Sequence, residues 1–217
     1  SHQEISGRIE TQSTFELITT IATTQDYKPS WLILILKTRL KIKLKKILKN
    51  SKDNILEKSH PSLWLVDFLI KEFNSKFIFV YRDVEPTVSS MLEHKDVLSW
   101  YDKLPLNKPN RFLGIDKHNS TFFKNYSIEE KCALRWKSHY ETILSLNKKY
   151  SKNTFIMKYD DFMIEPAPIL KKLSLFIGVS NTFKIEKLKT DSLDKWKKKL
   201  NEEQLNKIRD ITFAKNV

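Results

Sequence analysis

The chain has 217 residues, 39 of them Lys or Arg against 26 Asp or Glu, for a formal net charge of +13. That length suits one domain with a real hydrophobic core. The single Cys132 excludes an internal disulfide and a cysteine-based zinc cluster, and no run of about 20 apolar residues is available to span a bilayer as a helix.

A strongly basic surface favours an anionic partner, whether nucleic acid, acidic membrane, polyanionic acceptor or phosphorylated cofactor. The joint abundance of Lys, Asn and Ile equally fits an AT-rich codon bias, so charge alone chooses nothing. Glycine is confined to Gly7, Gly114 and Gly178, which leaves little for a loop that cradles phosphate. No secretory leader pattern is seen, and a cytoplasmic location is expected unless a targeting segment lies upstream.

In chain order, Ile5 to Ala22 reads as a helix or helix-loop, with Phe15, Leu17, Ile18 and Ile21 near helical spacing. From Leu36 to Lys49, Leu36, Leu40, Leu44, Ile47 and Leu48 form an apolar stripe, with Lys37, Lys41, Lys45 and Lys49 on another face. A membrane-surface helix fits this pattern, but an ordinary amphipathic helix with solvated lysines fits it more simply. A further helix is expected over Ser62 to Phe73. Lys76 to Arg82, with its continuous apolar centre, reads as a strand buried on both faces of a parallel sheet. Pro86 then suits the first turn of a helix.

Tyr101 to Tyr126 has no clear period and reads as a long irregular loop of the sort that shapes a substrate site. Ser127 and Glu130 form a capping box that opens a long helix burying Ala133, Trp136, Tyr140, Ile143 and Leu144. Thr154 to Tyr159 is the second buried strand. The next helix buries Ile169, Leu170, Leu173, Phe176 and Ile177 and ends at Gly178. A last helix is capped by Asn201 and Gln204. Strand, helix, strand, helix is an α/β plan with a parallel sheet.

Ligands of such sheets bind beyond the carboxyl ends of the strands. The first strand ends in Arg82-Asp83, and the second in Lys158-Tyr159-Asp160-Asp161. Arg82, followed by a helix presenting Ser89 and Ser90, has the chemistry of a phosphate clamp: a bidentate guanidinium plus a hydroxyl donor. The structural alternative is that Arg82 simply pairs with Asp83 or Asp160.

The segment Lys76 to Met91, KFIFVYRDVEPTVSSM, resembles the 3′-phosphate-binding segment of the PAPS-dependent sulfotransferases. Glu57-Lys58-Ser59-His60-Pro61 resembles that family's "EKTP" turn, Ile156 to Phe162 its "RYEDL" strand end, and Trp196 to Leu200 its late "WkkeL" element. Ser1 to Ile5 resembles the "SHPEI" stretch, with Gln3 in place of the proline. Five such segments in one order cover nearly the whole chain.

The resemblance implies a P-loop-NTPase-like three-layer α/β fold, a parallel sheet flanked by helices. The family's first strand and its Gly-containing "RSGTT" loop, which holds the 5′-phosphosulfate, are expected upstream of His2. Residues 1–217 then form a single, N-terminally incomplete domain. The implied activity is transfer of a sulfuryl group from PAPS to a hydroxyl of an unidentified acceptor (a carbohydrate, a tyrosine or a small metabolite), with no metal. The implied site residues are Arg82 and Ser90 on the 3′-phosphate, with His94 where some members place an Arg toward the same phosphate, and Tyr159 against the nucleotide. Glu10 is the implied catalytic base and Lys58 the cation at the bridging oxygen, with His60 a rival acid-base group. Each residue also has an ordinary reading: Glu10, Lys58 and His94 as solvated surface groups, Tyr159 as a core aromatic.

Two other function classes remain open from the residues. A P-loop nucleotide kinase relative would share the sheet, but its lid normally carries several arginines, which are scarce here. A truncated, non-catalytic homologue with a nucleic-acid-binding surface would interleave aromatics with basic residues, whereas the aromatics here follow core spacing. No nucleic-acid partner is expected, and the oligomeric state is not legible.

Overall fold

The computed structural model describes residues 5–9, 12–49, 54–180 and 193–213, with 183–185, 188 and 190 between the last two stretches. Two parallel strand pairs are set among helices. Strand β1 (Ile5–Ile9) pairs with β2 (Asn54–Lys58), in register from Ile5 with Asn54 to Ile9 with Lys58. Strand β3 (Phe77–Tyr81) pairs with β4 (Thr154–Lys158), from Phe77 with Thr154 to Tyr81 with Lys158. Parallel pairing needs a crossover between partners. Helices α1 (Gln12–Thr24) and α2 (Ser30–Lys49) supply it for the first pair. For the second it runs through α4 (Val84–Glu93), α5 (Lys95–Lys103) and the long α6 (Ile128–Lys149).

The α/β organisation with parallel strands is the one expected. Three local readings change. Residues 5–9 are strand rather than helix, and α1 starts only at Gln12. The described strands form two separate two-stranded sheets, and β3 is not buried on both faces: Phe79 is buried while Val80 is exposed. The stretch from Tyr101 to Tyr126 is irregular but far from loose. Tyr101 belongs to α5, and Asn110, Phe112, Leu113, Ile115 and Phe123 are buried, with short 3-10 turns at Arg111–Leu113 and Phe123–Asn125.

The core explains the packing order. Helix α3 (Val66–Phe73), preceded by the 3-10 turn His60–Leu65, buries Val66 and Leu69 and ends in the left-handed Asn74. On α6, Cys132, Ala133, Ile143 and Leu146 are buried, facing Val84 and Val88 of α4 and Leu205 and Ile208 of α9 (Glu202–Phe213) within one cluster. The Ser127 and Glu130 capping box is made: Glu130 accepts from the Ser127 amide at 2.7 Å, and the Ser127 hydroxyl accepts from the Glu130 amide. Asn201 and Gln204 do the same before α9. Strand β4 runs into α7 (Tyr159–Ile164) and then α8 (Pro166–Ile177), which Gly178 closes at φ +88°. No helix among the described residues is long and apolar enough to cross a membrane.

Candidate active site

Two groups of side chains gather at the carboxyl ends of the strands. The first is built on β3 and β4. Their register sets Tyr81 beside Lys158, so the residues that follow, Arg82 and Tyr159-Asp160, emerge side by side. Arg82 Nε donates to Asp160 at 3.1 Å and 3.3 Å, and Nη2 donates to the Leu193 carbonyl at 3.0 Å. The guanidinium carbon lies 5.2 Å from the Tyr159 ring centre. Asp83 turns to Lys158 at 2.8 Å instead. Hence the internal ion pair offered by Asp160 is formed, and it holds Arg82 partly buried at the strand end rather than extended into solvent. An incoming dianion would share or displace Asp160, because charge-assisted bonds to phosphate match the same guanidinium fork.

The other expected nucleotide contacts are less gathered. Ser89 is buried, whereas Ser90 is exposed on α4. His94 is exposed; its backbone ends α4 and begins α5. No hydrogen bond between described residues joins Ser90 or His94 to Arg82. Tyr159 is brought to it.

The second group grows from the end of β2. Lys58 is the exposed last residue of that strand, and Ser59 and His60 open the 3-10 turn. His60 Nε2 is 3.3 Å from His139 Nδ1, and the rings stack at 5.0 Å. His139 Nε2 in turn lies 3.0 Å from the Phe112 carbonyl. A carbonyl only accepts, so His139 carries its proton on Nε2 and presents a lone pair at Nδ1. His60 must therefore donate from Nε2, which leaves His60 Nδ1 as its basic nitrogen.

Protein atoms crowd both rings, and this desolvation holds both histidines below the ordinary value of 6.5. For His60 the nearby charges of Arg135 and Lys58 add to it, down to about 3. For His139 the causes after burial are His60 and Arg135. His60 nonetheless retains solvent exposure. Its imidazole is neutral at pH 7, and its lowered pKa makes it a weaker base than a free histidine. Around the pair lie Trp64, 5.1 Å from His139, and Arg135, whose guanidinium sits 4.5 Å over the Phe112 ring. Ser59 Oγ, Trp64 Nε1 and Arg135 Nη1 are buried without a hydrogen-bond partner among the described residues.

Helix α6 ties the two groups together. Trp136 donates from Nε1 to the Arg82 carbonyl at 2.9 Å and stacks on Tyr140 at 5.0 Å, and Tyr140 meets Tyr81 at 5.3 Å. Arg135 and His139, each one residue earlier, meet Phe112 and the His60 turn. Residues four apart share a helix face. One face of α6 thus braces the arginine end and the neighbouring face the histidine end.

Of the expected residues, Arg82, Tyr159, Lys58 and His60 therefore flank this region, and Glu10 lies outside the described residues. The sequence alone does not single out His139 and Arg135. Their only local signal is the repeated i, i+4 spacing on α6, and the partner that gives His139 meaning is 79 residues away. Among the described residues no group of three or more His, Cys, Asp or Glu side chains is placed to hold a metal ion.

A family model described as "Sulfotransferase domain" matches residues 2–196. Among solved structures, the "Sulfotransferase Domain from the Curacin Biosynthetic Pathway" superposes with a TM-score of 0.53 over 92% of this chain and 76% of that one, at 12% identity. At that identity the likeness is one of fold. No curated protein gives a significant match.

Proposed function

The chain belongs to the sulfotransferase domain family, and we propose that it transfers a sulfuryl group from PAPS to a hydroxyl of an acceptor. In this reading Arg82 and Ser90 grip the 3′-phosphate, with Tyr159 against the nucleotide and His94 as an outlying donor. Lys58 neutralises the oxygen that bridges sulfur and the 5′-phosphate as that bond breaks.

The proton of the attacking hydroxyl goes to His60 Nδ1. The acceptor oxygen forms the new S–O bond, and the bridging oxygen leaves with its electron pair on the phosphate of the desulfonated nucleotide, PAP. Charge grows on that leaving oxygen, so a fixed cation beside it acts where it matters most. Glu10 is the rival base, as the family pattern implies.

The observation that carries this reading is the directed chain from His60 through His139 to the Phe112 carbonyl. A base oriented by a second group that is itself anchored follows the logic of hydrolytic triads. Desolvation is the main cause of the low His60 pKa; the polyanionic donor, once bound, offsets the lesser contributions of Arg135 and Lys58 and so moves its basicity upward.

The test is turnover by the full-length protein with PAPS and a panel of sugar, phenolic and alkyl hydroxyl acceptors. His60→Ala is expected to lower kcat by about 100-fold or more while leaving PAP binding within a few-fold. Glu10→Gln is expected to change kcat little. The reverse outcome, a silent His60→Ala and a damaging Glu10→Gln, would move the base to Glu10.

A further inference from the structure

Helix α2 has a second apolar face that the fold does not use. Ile33 and Leu40 are buried on its inner side, with Leu36 and Leu44 packed against the core. On the opposite side Trp31 is 63% exposed, Leu34 66%, Ile35 43% and Ile42 64%. These positions follow i, i+3, i+4 and i+11, so they line one stripe on the outer face. Continuing the same periodicity, Lys45 and Lys49 carry that face to the end of the helix, with Lys46 beside them, all exposed. Thr38, exposed on the same stripe, turns its hydroxyl back to the Leu34 carbonyl, so the face is mainly apolar as far as Ile42 and cationic beyond it.

The sequence of α2, SWLILILKTRLKIKLKKILK, contains no acidic residue. Lys41 pairs with Glu72 of α3, and Lys37 lies 6.0 Å over the Phe68 ring. Those two lysines sit on the side turned to the protein, whereas Lys45, Lys46 and Lys49 are exposed. A single exposed Leu or Trp needs no explanation, but four large apolar side chains on one outer face do.

We propose that the outer face of α2 docks on an anionic lipid surface. The helix would lie in the plane of the headgroups, with Trp31, Leu34, Ile35 and Ile42 entering the acyl boundary and the terminal lysines on acidic headgroups. Tryptophan favours that boundary, basic residues gain from a negatively charged leaflet, and an apolar face bordered by Lys and Arg is the pattern of an interfacial helix. Charge argues against a second copy of the chain as the occupant. A net charge of +13 and an acid-free helix would bring like charges together. This docking does not depend on the sulfuryl-transfer reading.

The experiment is cosedimentation of the full-length protein with vesicles of phosphatidylcholine alone and of phosphatidylcholine with 30 mol% phosphatidylglycerol. The result expected is binding to the anionic vesicles at least tenfold tighter than to the neutral ones. Brominated lipids should quench tryptophan fluorescence, and that quenching should shrink in Trp31→Phe. The double variant Leu34→Ser, Ile42→Ser changes no charge and no buried residue. It should keep the wild-type circular dichroism and Tm while weakening vesicle binding at least tenfold. Binding that survives this variant would mean a purely electrostatic attraction and would overturn the proposal. So would a lack of binding to either vesicle, or self-association in solution that the same variant abolishes, which would make a second copy the occupant.

Discussion

The imidazole of His139 touches no expected ligand position, yet it fixes which nitrogen of His60 is basic. Replacing it with Leu removes the acceptor for His60 Nε2–H and frees His60 to reverse its tautomer. We predict that His139→Leu lowers kcat by about 10–100-fold, by analogy with the partners that orient metal-bound histidines, with little change in KM. It should also alter the pH profile, which a merely structural role would not. The sign of the stability effect follows from the direction of the shifts. Both histidines are held below the ordinary 6.5 in the folded chain, so the unfolded chain binds more protons just below that pH. Stability is fully present above about pH 6.5 and is lost as pH falls toward the folded value, about 3 for His60. Urea unfolding at pH 7.5 and pH 5 should therefore show a drop in stability. The drop should be smaller in His139→Leu, which has one fewer group to protonate.

Two glycines show how differently elements depend on one atom. Gly114 ends the 3-10 turn Arg111–Leu113 at φ +79°, and a Cβ there would lie 2.4 Å from the Leu134 carbonyl carbon and oxygen and 2.6 Å from the Arg135 nitrogen. These are backbone atoms of α6, so the turn must retreat from the helix, carrying Phe112 away from His139. Gly178 has a similar φ, +88°, but open space around it. We predict that Gly114→Ala costs roughly 2–4 kcal/mol, whereas Gly178→Ala costs only about 1 kcal/mol, both measured by urea unfolding. Gly114→Ala should impair turnover as well.

The same elements mark where sequence reading succeeds. Phe77–Tyr81 and Thr154–Lys158 are legible because an unbroken apolar run between polar ends has few alternatives, and the Ser127/Glu130 and Asn201/Gln204 boxes because capping is local chemistry. Residues 5–9 are not, since Ser6, Gly7 and Arg8 break the apolar pattern and the strand exists through its pairing with β2. The site divides in the same way. Arg82 stands out because a strand end is a local feature. Its bond to Leu193, and the meeting of His60 with His139, depend on chain segments brought together by packing.

At the scale of the molecule, the strand ends, the turn after β2 and the braced face of α6 gather cations and neutral bases on one framework, while α2 turns an apolar and cationic face outward. In the proposed reading the chain's positive charge has work at two places, holding a polyanionic nucleotide and meeting an anionic surface. Calorimetric titration of the full-length protein with PAP, which carries the 3′-phosphate, and with AMP, which lacks it, isolates the contribution of that phosphate. The account predicts at least tenfold tighter binding of PAP, from charge-assisted bonds to Arg82, and predicts that Arg82→Ala brings PAP down to the level of AMP. A preference for PAP that persists in Arg82→Ala, or its absence in the unaltered protein, would contradict it.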